Sequence, residues 1–287
     1  GEPLDVDWAS ATAVDYSCFT PKTTSASGLD VAVTHGGPIF GCCPKTAAAP
    51  ASEVLEGSVA HTSAAARRRV LFGWLQHGYM SVPRLHYENT LSLPRDLSVV
   101  IGTSGEKELR QHFVPELKIL RRGAPFQLPS QRISSPSSFP LFLGVNGTQL
   151  EVSVNFSLRS SWIYPSRFGL WVLAEPVNSS GTNATERTAI EFDSASKLVS
   201  IDRRFSGNSN DSDVRAGPWP KIDVGTDALA TDLHVHAYVD RSIVEVIVNG
   251  QTALTVYVHP RLANSNGIAL FADGDDVTAS VEVYQMA

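Results

Sequence analysis

The chain has 287 residues, 43% apolar and 18% charged, enough for one sizeable core with a smaller unit beside it. Its formal net charge of −6 argues against a nucleic-acid surface, and no apolar run approaches the length of a membrane span. Gly1 opens the sequence with neither an initiator methionine nor an apolar signal region, the expectation for a processed product or a fragment.

Taken in order, residues 1–43 hold short β-like pieces, Val14 to Phe19 and Leu29 to Val33, broken by Gly, Pro and Ser. Residues 44–66 are rich in Ala, Ser and Pro and predict a low-complexity loop. A strand returns at Val70 to Trp74. Glu106 to Arg122 spaces Leu109, Phe113, Leu117 and Leu120 almost helically, but Pro115 interrupts the pattern, so a short helix or an irregular linker is expected. From Leu141 onward, short alternating segments separated by turns predict an antiparallel sandwich. The cleanest is Leu150, Val152, Val154, Phe156 and Leu158, with polar residues between them.

The most informative stretch is Tyr238 to Gly250, YVDRSIVEVIVNG. Ile243, Glu245 and Ile247 fall on one face, and Val244, Val246 and Val248 on the other. Asn249-Gly250 tolerates positive φ at both central positions of a type I′ turn, and Thr252, Leu254, Val256 and Val258 resume the alternation, so the segment predicts a hairpin.

Asp240-Arg241-Ser242 followed by that apolar run, with Glu245 inside it and Asn249 after it, resembles the signature strand in the C-terminal β-sandwich of glycoside hydrolase family 32, the invertases, inulinases and fructosyltransferases. The resemblance continues at Ser196 to Gly207, Gly267 to Asp276, Glu88 to Leu97 and Val114 to Arg121, and covers most of residues 67–287. It implies an all-β chain: the last part of a five-bladed β-propeller over 1–78, closed by the strand Arg69 to Trp74, a linker over 79–135, and an antiparallel β-sandwich over 136–287. It also implies action on sucrose or fructans by a retaining double displacement.

Retention requires two carboxyl groups roughly 5 Å apart. The family's Trp-Met-Asn-Asp-Pro, Arg-Asp-Pro and Glu-Cys motifs are absent: Arg95-Asp96 is followed by Leu97, and no glutamate precedes Cys18, Cys42 or Cys43. The expected catalytic carboxylates therefore belong to an N-terminal propeller segment of the same precursor, the expected partner, with a homodimer as a further option. Asp7-Trp8 resembles the Asp-Trp pair opening the last propeller blade of fungal members, which makes both residues candidates for sugar contact. The alternatives from other classes are a non-catalytic carbohydrate-binding sandwich and a purely structural or dimerisation module.

Among other candidates, Asp240 and Glu245 are an odd number of residues apart and point to opposite faces of a straight strand, so Glu245 is expected to find a polar partner in the sheet. His234 and His236 share a face but lack a third ligand at a useful spacing. Asp273, Asp275 and Asp276 lack the EF-hand pattern and suit a solvated turn. Ser194 to Lys197 matches Ser-x-x-Lys by letters alone. No metal or cofactor is therefore expected. Five sequons, at Asn146, Asn155, Asn178, Asn183 and Asn210, predict a secreted glycoprotein. Three cysteines leave two options open, a bridge from Cys18 to Cys42 or Cys43, or three free thiols.

Overall fold

Alternation decides this architecture. Leu150, Val152, Val154, Phe156 and Leu158 are all buried in one layer, while Glu151, Ser153, Asn155 and Ser157 between them point to the other face. A strand with one such face requires a second apolar layer against it. Each fully buried aliphatic or aromatic side chain contributes about 1.5–3 kcal/mol to closing the two layers.

The computed structural model describes residues 45–48, 69–76, 89–101, 105, 107–134, 140–159, 166–176, 186–207, 214–220 and 230–287. The first strands are β1 (Lys45–Ala48), β2 (Arg69–Phe72), β3 (Trp74–Gln76), β4 (Asn89–Leu91), β5 (Arg95–Ile101) and β6 (Lys107–Phe113). A 3₁₀ turn at Pro115–Leu120 leads into β7 (Arg121–Ile133), β8 (Leu141–Asn146) and β9 (Gln149–Arg159). Then come β10 (Arg167–Ala174), β11 (Thr188–Asp193), β12 (Leu198–Asp202) and β13 (Val214–Pro218). The chain closes with β14 (Ala230–Asp240), β15 (Ile243–Val248), β16 (Thr252–Tyr257), β17 (Gly267–Asp273) and β18 (Val277–Met286).

Two six-stranded antiparallel sheets form the expected sandwich. Sheet I has the order β16-β15-β14-β9-β18-β7 and sheet II the order β13-β12-β11-β10-β17-β8. The core between them is knit by rings: Phe168 and Phe192 stack with centroids 5.1 Å apart, and Phe156 meets Phe168 edge-on at 5.3 Å. Two smaller sheets, β1-β2-β5-β6 and β3-β4, stand before the sandwich.

The hairpin β15–β16 turns through Asn249 (φ 48°) and Gly250 (φ 67°), the two positive values that a type I′ turn needs. Of the stretch expected as a short helix or irregular linker, Glu106 to Arg122, Pro115–Leu120 forms a short 3₁₀ helix, while Lys107–Phe113 is the strand β6. Pro115 stands at the start of that helix, where its missing N–H costs nothing, and β6 satisfies its backbone along β5. Arg121–Ile133, inside the stretch expected as linker, is the outermost strand of sheet I, paired with β18. β1 lies within the low-complexity stretch and pairs with β2.

Candidate functional site

The outer face of sheet I carries an unusual load of buried charge. Glu245 projects from the middle of β15 and is almost fully buried. Its Oε1 accepts the Leu93 N–H at 2.6 Å, while its Oε2 accepts from Arg95 Nη2 at 2.8 Å and from the Thr255 hydroxyl at 3.2 Å. Arg95 also donates to Thr255 Oγ1 at 2.6 Å. One strand carboxylate thereby ties the Leu93-Pro94-Arg95 segment onto the sandwich. A buried pair of this kind requires every lone pair to be met, and here three donors converge on two oxygens.

Beside it lies a second cluster. Glu151, on β9, accepts from Arg121 Nε at 2.6 Å and from Arg121 Nη2 at 2.7 Å, and from His236 Nε2 at 2.9 Å. Burial pushes the Glu151 carboxyl up, but the Arg121 and His236 hydrogen bonds outweigh it and hold the group at about 2. The same burial, with the adjacent Glu151 charge, raises the Tyr238 hydroxyl. The Arg121 guanidinium also lies over the Tyr284 ring at 3.9 Å.

Phe113, at the end of β6, closes the surface over both clusters. Its ring meets Tyr238 edge-on at 4.7 Å and His236 at 5.1 Å. With Val114, Leu117 and Ile247 it makes a second apolar core, outside the sandwich, against which Val70, Leu93 and Met286 pack. The hairpin turn is gripped from the same side, since the Gln111 N–H donates to the Gly250 carbonyl at 2.8 Å and Arg110 Nη1 to the Asn249 carbonyl at 2.9 Å. Tyr257 reaches further back, its hydroxyl donating to the Leu75 carbonyl at 3.1 Å. This face is thus built to hold the segment that precedes it.

Such an arrangement fastens one segment of the chain to another. A carboxyl kept near 2 stays ionised at neutral pH and cannot serve as a proton donor there, and Glu245 has both oxygens occupied. Among the described residues no group of three or more His, Cys, Asp or Glu gathers to hold a metal. His236 is committed to Glu151, and His234 Nε2 meets the Ser153 hydroxyl at 2.9 Å. Burial, then the charges of His236 and His112, lower the His234 imidazole.

The remaining sequence candidates separate. Asp7, Trp8, Cys18, Cys42, Cys43, Asn178, Asn183 and Asn210 lie outside the described residues. Asn146 and Asn155 are exposed, the first at the end of β8 and the second on the outer face of β9. Asp240 sits at the turn into β15 with its Oδ1 accepting from Gln149 Nε2 at 3.2 Å. Asp273 faces Arg167 at 3.4 Å and Asp276 pairs with Arg132, so neither is part of a cation cage. Ser194 to Lys197 is the β11–β12 turn, in which Asp193 Oδ1 accepts the Ala195 and Ser196 N–H groups.

Sequence reasoning found Glu245 but missed its strongest partner, Arg95, and missed Arg121 and Glu151 altogether. The available signal was a glutamate at an outward position of a strand whose other outward residues are small or neutral. Glu186 was missed too: it is buried and accepts the Arg261 and Leu262 N–H groups at 2.8 and 2.9 Å and the Ser265 hydroxyl, fastening one end of sheet II.

Residues 117–285 match the family described as glycosyl hydrolases family 32 C terminal. Among solved structures, the chain is similar to a β-fructofuranosidase of Aspergillus kawachii, with a TM-score of 0.62 and 20% identity over 75% of this chain and 42% of that one. An exo-inulinase of Aspergillus awamori gives 0.59 and 20% over 77% and 40%. Fructan 1-exohydrolase IIa of Cichorium intybus gives 0.61 and 20% over 77% and 45%. No curated protein matches. The chain spans less than half the length of these structures, and at such identities they show a shared fold. The family match spans more than half of the sequence, so the chain belongs to glycosyl hydrolase family 32, whose C-terminal β-sandwich it carries.

Proposed function

We propose that this chain is the C-terminal portion of a secreted β-fructofuranosidase or fructosyltransferase, and that its sandwich holds a catalytic β-propeller whose carboxylates lie in an N-terminal segment of the same precursor. The observation that carries this reading is the clamp on the outer face of sheet I, where Glu245 binds Leu93 and Arg95 in the chain leading into the sandwich. In this reading the small sheets β1-β2-β5-β6 and β3-β4 continue into the end of the propeller and its linker, and Asp7 and Trp8 border the sugar. The reaction is a retaining double displacement on a fructosyl unit of sucrose or a fructan, giving hydrolysis with water and transfer with a sugar acceptor.

The test is fructose and glucose release from sucrose by the purified chain, alone and after co-expression with a family 32 propeller segment, beside denaturing mass analysis of every polypeptide present. Activity that appears only with the propeller supports the reading. Activity of this chain alone would overturn it, as would failure of the two segments to co-purify.

A further inference from the structure

The outer face of sheet II, on the opposite side of the sandwich from the clamp, carries the half-buried rings of Trp171 and Phe271 and the exposed ring of Phe205. Inward positions of β10 are Phe168, Leu170 and Val172, all fully buried, so Arg167, Gly169 and Trp171 project outward. Trp171 lies beside Phe271 of β17, ring centroids 5.8 Å apart. The Arg187 guanidinium is 4.5 Å from the Trp171 ring centre and 4.3 Å from that of Phe205, so one cation bridges two rings.

Phe205 is 48% exposed. Its turn is nevertheless rigidly built: the Ser206 N–H donates to the Arg203 carbonyl at 2.9 Å, the Ser206 and Thr188 hydroxyls meet at 2.7 Å, and the Arg187 N–H donates to the Phe205 carbonyl at 2.7 Å. Gly207 (φ +108°) closes that turn where a Cβ would fall 2.3 Å from Glu186 Oε1 and 2.5 Å from the His259 carbonyl oxygen. The turn fixes the backbone from which the ring projects and the Arg187 guanidinium packs against the ring, which lowers the ordering cost of binding a ligand there.

The polar groups around the rings identify that ligand. Arg167 stands 3.9 Å from Glu191 and 3.4 Å from Asp273, a loose exposed pairing that hydroxyl groups can enter at little cost. Arg204 chelates Asp202 at 2.7 Å. Asp193, the register partner of Arg167, brings the carboxylates to four against three arginines, which disfavours an anionic ligand and supplies donors and acceptors together. Rings that offer π faces to C–H groups, flanked by balanced donors and acceptors, are the chemistry that recognises a neutral sugar. From these positions we infer that Trp171, Arg187, Phe205 and Phe271 form a binding surface for a neutral oligosaccharide or polysaccharide chain. This goes beyond the proposed enzymatic role and does not depend on it.

The test is affinity electrophoresis of the full chain through native gels containing inulin, levan, soluble starch or heparin. Retardation in at least one neutral-polysaccharide gel is expected, with about tenfold weaker apparent affinity in Trp171→Ala and in Phe205→Ser. Phe205 projects outward from the turn, so the second variant reports binding even where the first folds poorly. Tyr284→Ala, on the opposite face, should migrate as the unmodified chain does. Retardation by starch alone keeps the saccharide surface and counts against a fructan substrate, which separates this inference from the proposed function. Migration unaffected by all three neutral polymers, retardation by heparin alone, or equal retardation of Phe205→Ser and the unmodified chain would overturn it.

Discussion

The two outward faces of the sandwich use the same residue types to opposite ends. On sheet I, arginine and glutamate are buried against each other beneath Phe113, with the Arg95 side chain 10% and the Glu245 side chain 3% exposed. On sheet II, Arg167 and Asp273 sit at the surface, 50% and 53% exposed. Breaking a buried pair by removing one partner strands an unsolvated charge, whereas an exposed pair is already screened by water. The first face is therefore committed to one arrangement of the chain, and the second stays available.

The strongest way to break that contrast is Glu245→Ala. It leaves the Arg95 guanidinium and the Leu93 N–H without their carboxylate, and the expected loss is about 3–5 kcal/mol in urea unfolding. Limited proteolysis should then cut first within residues 89–120, because the segment loses its anchor while the core of the sandwich does not. Uniform loss of protection across the chain would contradict the clamp.

Arg121→Ala should cost less, about 2–3 kcal/mol, because His236 still reaches Glu151. The folded carboxyl titrates at about 2 against an ordinary 4.5, so between those values the folded chain binds fewer protons than the unfolded one. Its contribution to stability is complete above about pH 5 and drains away as the pH falls toward 2. Removing Arg121 should move the midpoint of acid unfolding, followed by tryptophan fluorescence, to higher pH; an unchanged midpoint would remove Glu151 from the account.

Gly250→Ala is smaller again. An alanine at φ 67° is strained by about 1–2 kcal/mol, and its Cβ would come 2.8 Å from His112 Cε1, the movable end of a side chain. Thermal unfolding should register a drop of that size, with the hairpin register intact.

Much of this architecture was legible because period-2 alternation fixes which face of a strand is buried. Leu150 to Leu158 and Val244 to Val248 behave as their pattern dictates. The Asn249-Gly250 turn was equally readable, since few residue pairs accept two positive φ values. The clamp was only half legible. Glu245 stood out as a charge within an apolar strand, but Arg95 lies 150 residues earlier, and no local pattern encodes a contact across that span. The edge strand β7 escaped detection for a related reason. Arg121–Ile133 carries Gly123, Pro125 and Pro129 and few buried positions, so it has almost no alternation to read, and only its pairing with β18 makes it a strand. Helical spacing across Leu109, Phe113 and Leu117 misled because two of those residues serve the outer core from a strand and a 3₁₀ turn.

Phe205→Ser should have the least effect on stability and sharpens the comparison most. The side chain is exposed, and its ring meets the Arg187 guanidinium at 4.3 Å, an interaction worth about 0.5–1 kcal/mol at a surface. Its backbone role survives substitution, because the carbonyl that accepts the Arg187 N–H is retained. Urea unfolding should therefore shift by no more than that amount. A loss as large as that of Glu245→Ala would mean that the ring is structural and that the two faces do not differ as argued. A near-neutral change in stability leaves a large aromatic, set at the surface on a hydrogen-bonded turn, that the fold does not need for itself, and that residue belongs to whatever the second face binds.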